Sequence, residues 1–396
     1  MLELNGKLTQ AFYRKRQGPT MSKQLLGLSI LLVALSLLFS CDQHAPLRIG
    51  FSGQLTGPRS DLGVQGRNGA ELAVEDINAK GGIGGRDLEL VAKDDLDTAE
   101  GAREADALLA ESGCLAIIGH MTSGQTLAAL PVTAAKKIPL ISPTTAAPSL
   151  EGKRDTFFRL IPTNTRWAVD LATYARSQGL GRAFLVGDSS NTGYTDTFLD
   201  TFQKRFVTAG GTVVGTLLFP SATAQNWKQL CTNIIATKPD VLIVCTSARE
   251  LAALAQELRA TKSTLRIMAP AWPSTRELIL TAGKDAEGIA FVSSYTEDNT
   301  YPPFVRFREH YRERFGWYPN FAAAFAYESV LVLAKALEQT YGKRAGLEEA
   351  LANGPTFEGV IGPFSLDATG DVVRPNFISQ VRGGEFVTLG DAGTKR

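Results

Sequence analysis

The stretch GHMTSGQTLAALP, Gly119 to Pro131, sets a His, a Thr and a Ser side by side ahead of a helical pattern. Such a group could cut a bond if a base activated the hydroxyl. Its surroundings do not supply one. Met121 and Gln125 stand where a G-x-S-x-G elbow needs glycine. The chain holds only 3 His: His44, His120 and His310. No Cys-x-x-Cys or His-x-x-x-His spacing points to a metal. GGIGGR, Gly81 to Arg86, lacks the Lys-Ser/Thr of a phosphate loop and follows a helix, so it reads as a helix stop and tight turn. Asp94, Asp95 and Asp97 end a strand with no partner acid or base in sight, and read as a solvated loop or cap. With no nucleophile–base pair, metal set or cofactor loop, an enzyme is not expected.

What remains is binding. Ser123 reads as the N-cap of a helix opening near Gly124, where free backbone N–H groups attract an anion. Plain capping would account for Ser123 as well. SPTTAAP, Ser142 to Pro148, adds hydroxyls at the end of the next strand. In open α/β sheets, ligands sit at the carboxyl ends of the strands.

The elements that would position these residues alternate regularly from Leu47. LRIGFSG, LELVAKDD, CLAIIGH and IPLISP read as strands, with GRNGAELAVEDINAK, AEGAREADALLAES and GQTLAALPVTAAKK as helices between them. The alternation argues for a parallel sheet covered on both faces. It restarts at TRWAVDLATYARSQ and runs through RAFLVGD, DVLIVCTS and RIMAPAW. Leu251, Leu254 and Leu258 give ARELAALAQELRA one apolar face. After GIAFVSSY come two long helices, PPFVRFREHYRERFG and FAAAFAYESVLVLAKALEQTYG. GVIGPFSLD and NFISQVRGGEFVTL then read as antiparallel strands. The expected fold class is α/β, two doubly wound parallel-sheet lobes.

Length and composition agree with two domains. The chain has 396 residues, a formal net charge of +1 and 44% hydrophobic residues. At roughly 100–200 residues per domain, two full cores are possible. No basic run suits nucleic acid. Leu25 to Phe39 is an uncharged apolar run, shorter than the roughly 20 residues a membrane span needs. It follows Lys23 and ends before a Cys, as a secretory signal does. Residues 1–40 read as a signal peptide, and an initiator at Met21 would make residues 1–20 an over-called start. Leu38-Phe39-Ser40-Cys41 resembles the bacterial lipobox, which implies lipidation at Cys41 and a tether over 41–46. The protein would then be exported and held at the cell membrane, facing the periplasm or exterior. Cys114, Cys231 and Cys245 are expected as buried free thiols.

Three separated segments carry a family resemblance: RIGFSGQLTGPRSDLGVQGRNGAELAVEDINAKGGIGGRDLELVAKDD, IIGHMTSGQTLAALPVTAAKKIPLISPTTAAPSL and FEGVIGPFSLDATGD. They resemble, in order, the leucine/isoleucine/valine-binding family of type I periplasmic binding proteins. The similarity runs from about Leu47 to Leu389. It implies a Venus-flytrap with three hinge crossings, near Pro162–Asn164, Val292–Tyr295 and Val373–Asn376. Lobe 1 would be 47–163 plus 293–374, and lobe 2 164–292 plus 375–396. It implies a monomer that delivers a small solute to an ABC permease in the inner membrane, with no cofactor. The same fold also serves as a ligand-sensing lobe acting on a signalling partner.

The resemblance also implies site residues. Ser123 matches a Ser that holds the ligand carboxylate in family members. Thr144 lies in the next loop, where Ala146 replaces a Thr and Thr145 could substitute. Leu62, Thr192, Gly193, Tyr194, Ser247 and Tyr295 match wall positions. The second lobe usually gives an acid to the α-ammonium group, but here IMAPAWP puts Ala271 at that place, followed by Trp272. A buried ammonium without a partner costs several kcal/mol. Either another acid neutralises it, with Asp61, Glu250 and Asp188 as candidates, or the ligand has no amine. An amino acid or a related small carboxylate or amide is expected, and an aromatic or short-chain carboxylate would suit Ser123 and Trp272.

Overall fold

The computed structural model describes residues 45–392 apart from 58, 222 and 355. The apolar leader and Cys41 lie outside the described residues. Five parallel strands form the first sheet: β1 (Leu47–Gly53), β2 (Leu88–Asp94), β3 (Ile117–Gly119), β4 (Leu140–Ser142) and β5 (Phe157–Arg159). Their order is β2-β1-β3-β4-β5. The short β5, FFR, escapes the periodicity because three residues show no alternation; it pairs through Leu140 and Phe157.

The second sheet has seven strands. β6 (Arg182–Asp188), β7 (Thr212–Phe219), β8 (Val241–Cys245), β9 (Arg266–Pro270) and β10 (Ala290–Ser293) run parallel. After the two-residue strands β11 (Phe357–Glu358) and β12 (Pro363–Phe364), β13 (Phe377–Arg382) and β14 (Glu385–Asp391) add antiparallel at one edge. The order is β14-β13-β10-β9-β8-β6-β7. Every residue of β8, VLIVC, is buried, as a strand covered on both faces requires. In GVIGPFSLD the strand is short: Pro363–Phe364 (β12) pairs antiparallel with β11, as the sequence reading expects, and among the described residues the two join neither large sheet.

Helices follow the strands: α1 (Asp61–Asn78), α2 (Ala99–Glu111), α3 (Ser123–Ala135), α4 (Asn164–Ser177), α5 (Thr192–Thr208), α6 (Trp227–Ala236), α7 (Ala248–Ala260), α8 (Arg276–Ala282), α9 (Pro302–Phe315), α10 (Phe321–Gln339) and α11 (Leu347–Ala352). Leu251, Leu254 and Leu258 of α7 are buried, as their spacing predicts. Asn320 caps α10 by accepting from the Ala322 and Ala323 N–H groups at 2.9 and 3.2 Å. α10 lies so close to α1 that a Cβ on Gly69 would stand 2.0 Å from the Ala323 carbonyl oxygen, so only glycine fits there. The long helix pair thus returns to the first sheet's side. Cys114, Cys231 and Cys245 are buried thiols.

The chain therefore passes between the two sheets three times: after β5, after β10 and before β13. Buried polar groups pin these crossings together. The Arg374 Nε–H donates to the Leu160 carbonyl at 3.0 Å, and its guanidinium pairs with Glu328 of α10. The Trp167 Nε1–H donates to Ser294 Oγ at 3.2 Å and Asn376 Oδ1 at 3.0 Å. Asn376 Nδ2 donates in turn to Asp170 at 2.7 Å. One network thus joins residues from all three crossings. Removing one partner of a buried ion pair costs about 3–5 kcal/mol, because the other charge is left bare. Arg374→Leu should cost that much in urea unfolding, whereas Arg374→Leu combined with Glu328→Leu should recover much of it.

Candidate functional site

Each sheet has a place where the chain turns from one side of a strand to the other. In the first, β1 is flanked by β2 and β3; in the second, β6 is flanked by β7 and β8. At such switch points the loops after the strands part and leave a crevice. Residues 54–62 follow β1, 120–122 follow β3, 189–191 follow β6, 246–247 follow β8 and 271–277 follow β9. These loops from both sheets line one cleft in two connected parts.

The inner part is small and mostly apolar. Leu62, Met121, Ile161, Ala271, Trp272 and Phe321 form its walls. The Tyr194 and Trp272 rings meet edge to face at 5.7 Å between centroids. Ser123 is 1% exposed, and its Oγ has no hydrogen-bond partner among the described residues. A buried hydroxyl left unpaired is costly, so a group that bonds to it is favoured there.

The position of Ser123 corrects its sequence assignment. Thr122 is the N-cap, with extended backbone at φ −126° and ψ 155°, and Ser123 is the first helical residue. The helix end is also not open. The Gly124 N–H donates to Asn191 Oδ1, from the loop after β6, at 3.1 Å. A side chain of the opposite lobe thus already meets this helix start.

The outer part is larger, about 860 Å³ including its solvent-filled mouth, and it is acidic. Asp61, Asp95, Asp97, Asp188 and Glu277 line it, with Arg59 the one cationic side chain among its lining residues. Arg59 is bound to Asp97, its Nε–H donating at 2.8 Å. Asp188 accepts from the Ser190 and Ser221 N–H groups at 2.8 and 3.1 Å. Asp95 corrects the solvated-loop reading: it is 2% exposed and 2.8 Å from His120 Nδ1. His120 Nε2 lies 3.2 Å from Asp106 of α2. Burial opposes charge on this imidazole, but Asp106 and Asp95 outweigh it and lift its pKa to about 9. His120 is therefore an imidazolium at neutral pH that ties the β3 loop to α2, not an idle strand end.

Asp61 and Glu277 differ from the other acids. Asp61 opens α1, and Asn320 Nδ2 donates to it at 3.2 Å. Glu277 is in the first turn of α8 and makes a long ion pair with Arg249 at 3.8 Å. Burial raises the Asp61 pKa above the ordinary range. Burial, then the charge of Asp61, lifts Glu277 to about 7.

The expected site residues divide. Ser123, Thr144, Leu62, Tyr194, Ala271 and Trp272 line the inner part, and Ser247 the outer. Thr144 spends its hydroxyl on the Met121 carbonyl at 2.7 Å. Thr145 does not stand in for a missing Thr, because it turns away to bond Thr126 Oγ1 at 2.6 Å. Ala146 is buried behind the loop, and its carbonyl accepts from the Asn164 N–H at 3.0 Å. Thr192 is exposed at the start of α5. Gly193 packs against Leu127 of α3. Tyr295 donates to the Pro319 carbonyl at 3.2 Å and lines a separate cavity beside α9. Among the acid candidates, Asp61 and Asp188 reach the cleft, while Glu250 lines another cavity and accepts from Ser247. Glu277 and Asn191 are not found from sequence. Their signal would have been an acid and an amide just beyond strand ends, in β9–α8 and β6–α5.

Glu277 gives a pH test. Its carboxyl is protonated in both folded and unfolded chains well below pH 4.5. Between about 4.5 and 7 the unfolded chain ionises first, so stability is lost as pH rises through that window. Asp61, Arg249 and Glu250 are the charged groups that act on it. Glu277→Gln should raise the melting temperature of the solute-free protein at pH 8 and leave it unchanged at pH 4, as read by calorimetry.

The comparisons agree with this geometry. Residues 46–385 match the family model described as "Periplasmic binding protein". An amino acid binding protein of Pseudomonas aeruginosa is 26% identical over 90% of this chain and 96% of its own. The Leu/Ile/Val-binding protein BraC3 of Rhizobium johnstonii is 28% identical over 89% and 96%. The leucine-binding protein LivK of Thermotoga maritima superposes with a TM-score of 0.80 at 24% identity, covering 87% of this chain and 98% of its own. A solute-binding protein of R. palustris in complex with benzoate also gives 0.80, at 22% identity over 88% and 96%. With its two α/β lobes facing each other across a lined cleft, the chain belongs to the periplasmic binding protein family, among the type I proteins of the Leu/Ile/Val-binding kind.

Proposed function

We propose that this protein is the extracytoplasmic solute receptor of an ABC importer of the branched-chain amino acid type. It captures an amino acid or a related small carboxylate or amide between its lobes and hands it to the permease. The observation that carries this reading is the Ser123 hydroxyl, buried and unpartnered in an apolar pocket between the two switch points. A cleft that is mostly apolar inside, with a few placed polar groups, suits a small solute. Relatives named for leucine, isoleucine and valine, and a neighbour holding benzoate, support the same class. The lobes, read as 47–163 with 293–374 and 164–292 with 375–396, close over the solute as a monomer. The solute favours closure only by binding the closed state better than the open one. Cys41, lipidated, keeps the receptor at the membrane near its permease.

Isothermal titration with leucine, valine, lysine, benzoate and 4-hydroxybenzoate tests the reading. At least one should bind, and Ser123→Ala should weaken it by about 1 kcal/mol or more. Unchanged affinity in Ser123→Ala, with only lowered stability, would return Ser123 to a structural role.

A further inference from the structure

The cleft poses an electrostatic problem that a small neutral or anionic solute does not solve. Asp61 comes from the first lobe and Glu277 from the second, and both line the same chamber. Burial and the charge of Asp61 both oppose ionisation of Glu277, and like charges in a partly desolvated space repel. The polar side chains of Thr275, Asn320 and Gln65 favour the Asp61 carboxylate and offset part of this, but Arg59 is the one cationic side chain among the lining residues. Arg59 is engaged by Asp97, and the His120 imidazolium by Asp95 and Asp106. Asp188 adds further negative charge from the second lobe. Arg249 pairs with Glu277 at 3.8 Å from the neighbouring cavity that it shares with Glu250, and offsets part of the Glu277 charge from outside the chamber. The inner pocket independently calls for a ligand through the bare Ser123 hydroxyl. The two parts share Leu62, Met121, Thr122, Asn191 and Trp272, so one solute can occupy both.

We propose that the solute carries a cationic nitrogen, a primary amine or guanidine at the far end of its chain from the polar head, that docks between Asp61 and Glu277 and draws the lobes together. This rests on the solute-receptor reading and narrows its substrate class. The polar head of the solute meets Ser123, its carbon chain lies along Leu62 and Trp272, and its cation reaches the outer chamber. The acid missing at Ala271 is thus replaced from other elements, at a place further along the cleft. A solute whose net charge is negative meets the carboxylates unshielded and is rejected.

Titration calorimetry at pH 8 would compare lysine, γ-aminobutyrate and agmatine with leucine and benzoate, on the wild-type chain and on Asp61→Asn, Glu277→Gln and Asp200→Asn. At least one cationic probe should bind, and Asp61→Asn and Glu277→Gln should each weaken it by about tenfold or more. Asp200→Asn, an exposed acid of α5 paired with Lys204, should stay within about twofold of wild type by the same arithmetic. Small-angle scattering should also find both chamber variants more compact than wild type when solute-free, since their repulsion is gone. Tight binding of leucine or benzoate, unmoved by Asp61→Asn and Glu277→Gln, would overturn the cation site and leave the receptor reading standing. Binding of no probe in either group, with no compaction, would overturn both.

Discussion

The Arg374 guanidinium is buried where the chain passes between the sheets for the third time. It holds the Leu160 carbonyl of the first passage and the Glu328 carboxylate of α10. It also lies 4.0 Å from the centre of the Phe364 ring. A buried ion pair contributes little net stability compared with an apolar replacement, since desolvation offsets most of its attraction. Its value is directional: the charges can be satisfied in one arrangement only. With Trp167, Ser294 and Asn376 it fixes how three strands of chain run side by side. The switch points of both sheets face each other because these passages hold them so.

What meets across the cleft then follows from local geometry. Loops after parallel strands carry short polar residues and helix starts, so both faces of the cleft are rich in hydroxyls, amides and carboxylates. Some are used up internally. Asp97 takes Arg59, Asp95 takes His120, Asp188 takes backbone N–H groups, and Thr144 and Thr145 take neighbours in the first lobe. Ser123, Asp61 and Glu277 are less fully matched, and they come from both lobes. A binding protein needs such incompleteness. A cleft whose polar groups were satisfied without ligand would gain nothing by closing on one.

Much of this was legible in the sequence. Strands such as VLIVC and the leucine face of α7 follow directly from apolar pattern, because burial on two faces or one leaves a regular trace. The inner wall, from Leu62 and Ser123 to Ala271 and Trp272, followed from family resemblance. The misreadings have a common cause. Which way a loop side chain points depends on bonds to residues distant in sequence. Thr145 turns to Thr126, Tyr295 to Pro319, and Asp95 to His120, and no local pattern announces any of them. The capping of α3 slipped by one residue, from Ser123 to Thr122, for the same reason: both can cap, and the backbone of Thr122 decides. Glu277 was missed because α8 is short and its charged first turn resembles a solvated surface.

The proposed solute is held between Ser123 on one side and the Asp61–Glu277 pair on the other. A crystal structure of the protein as purified from its native host, with whatever solute it retains, tests this most directly. Density is expected for a small organic molecule spanning both parts of the cleft, with a polar atom on Ser123 Oγ and a nitrogen within hydrogen-bond reach of Asp61 and Glu277. A closed cleft holding only water, or a solute bound without touching these three residues, would contradict it.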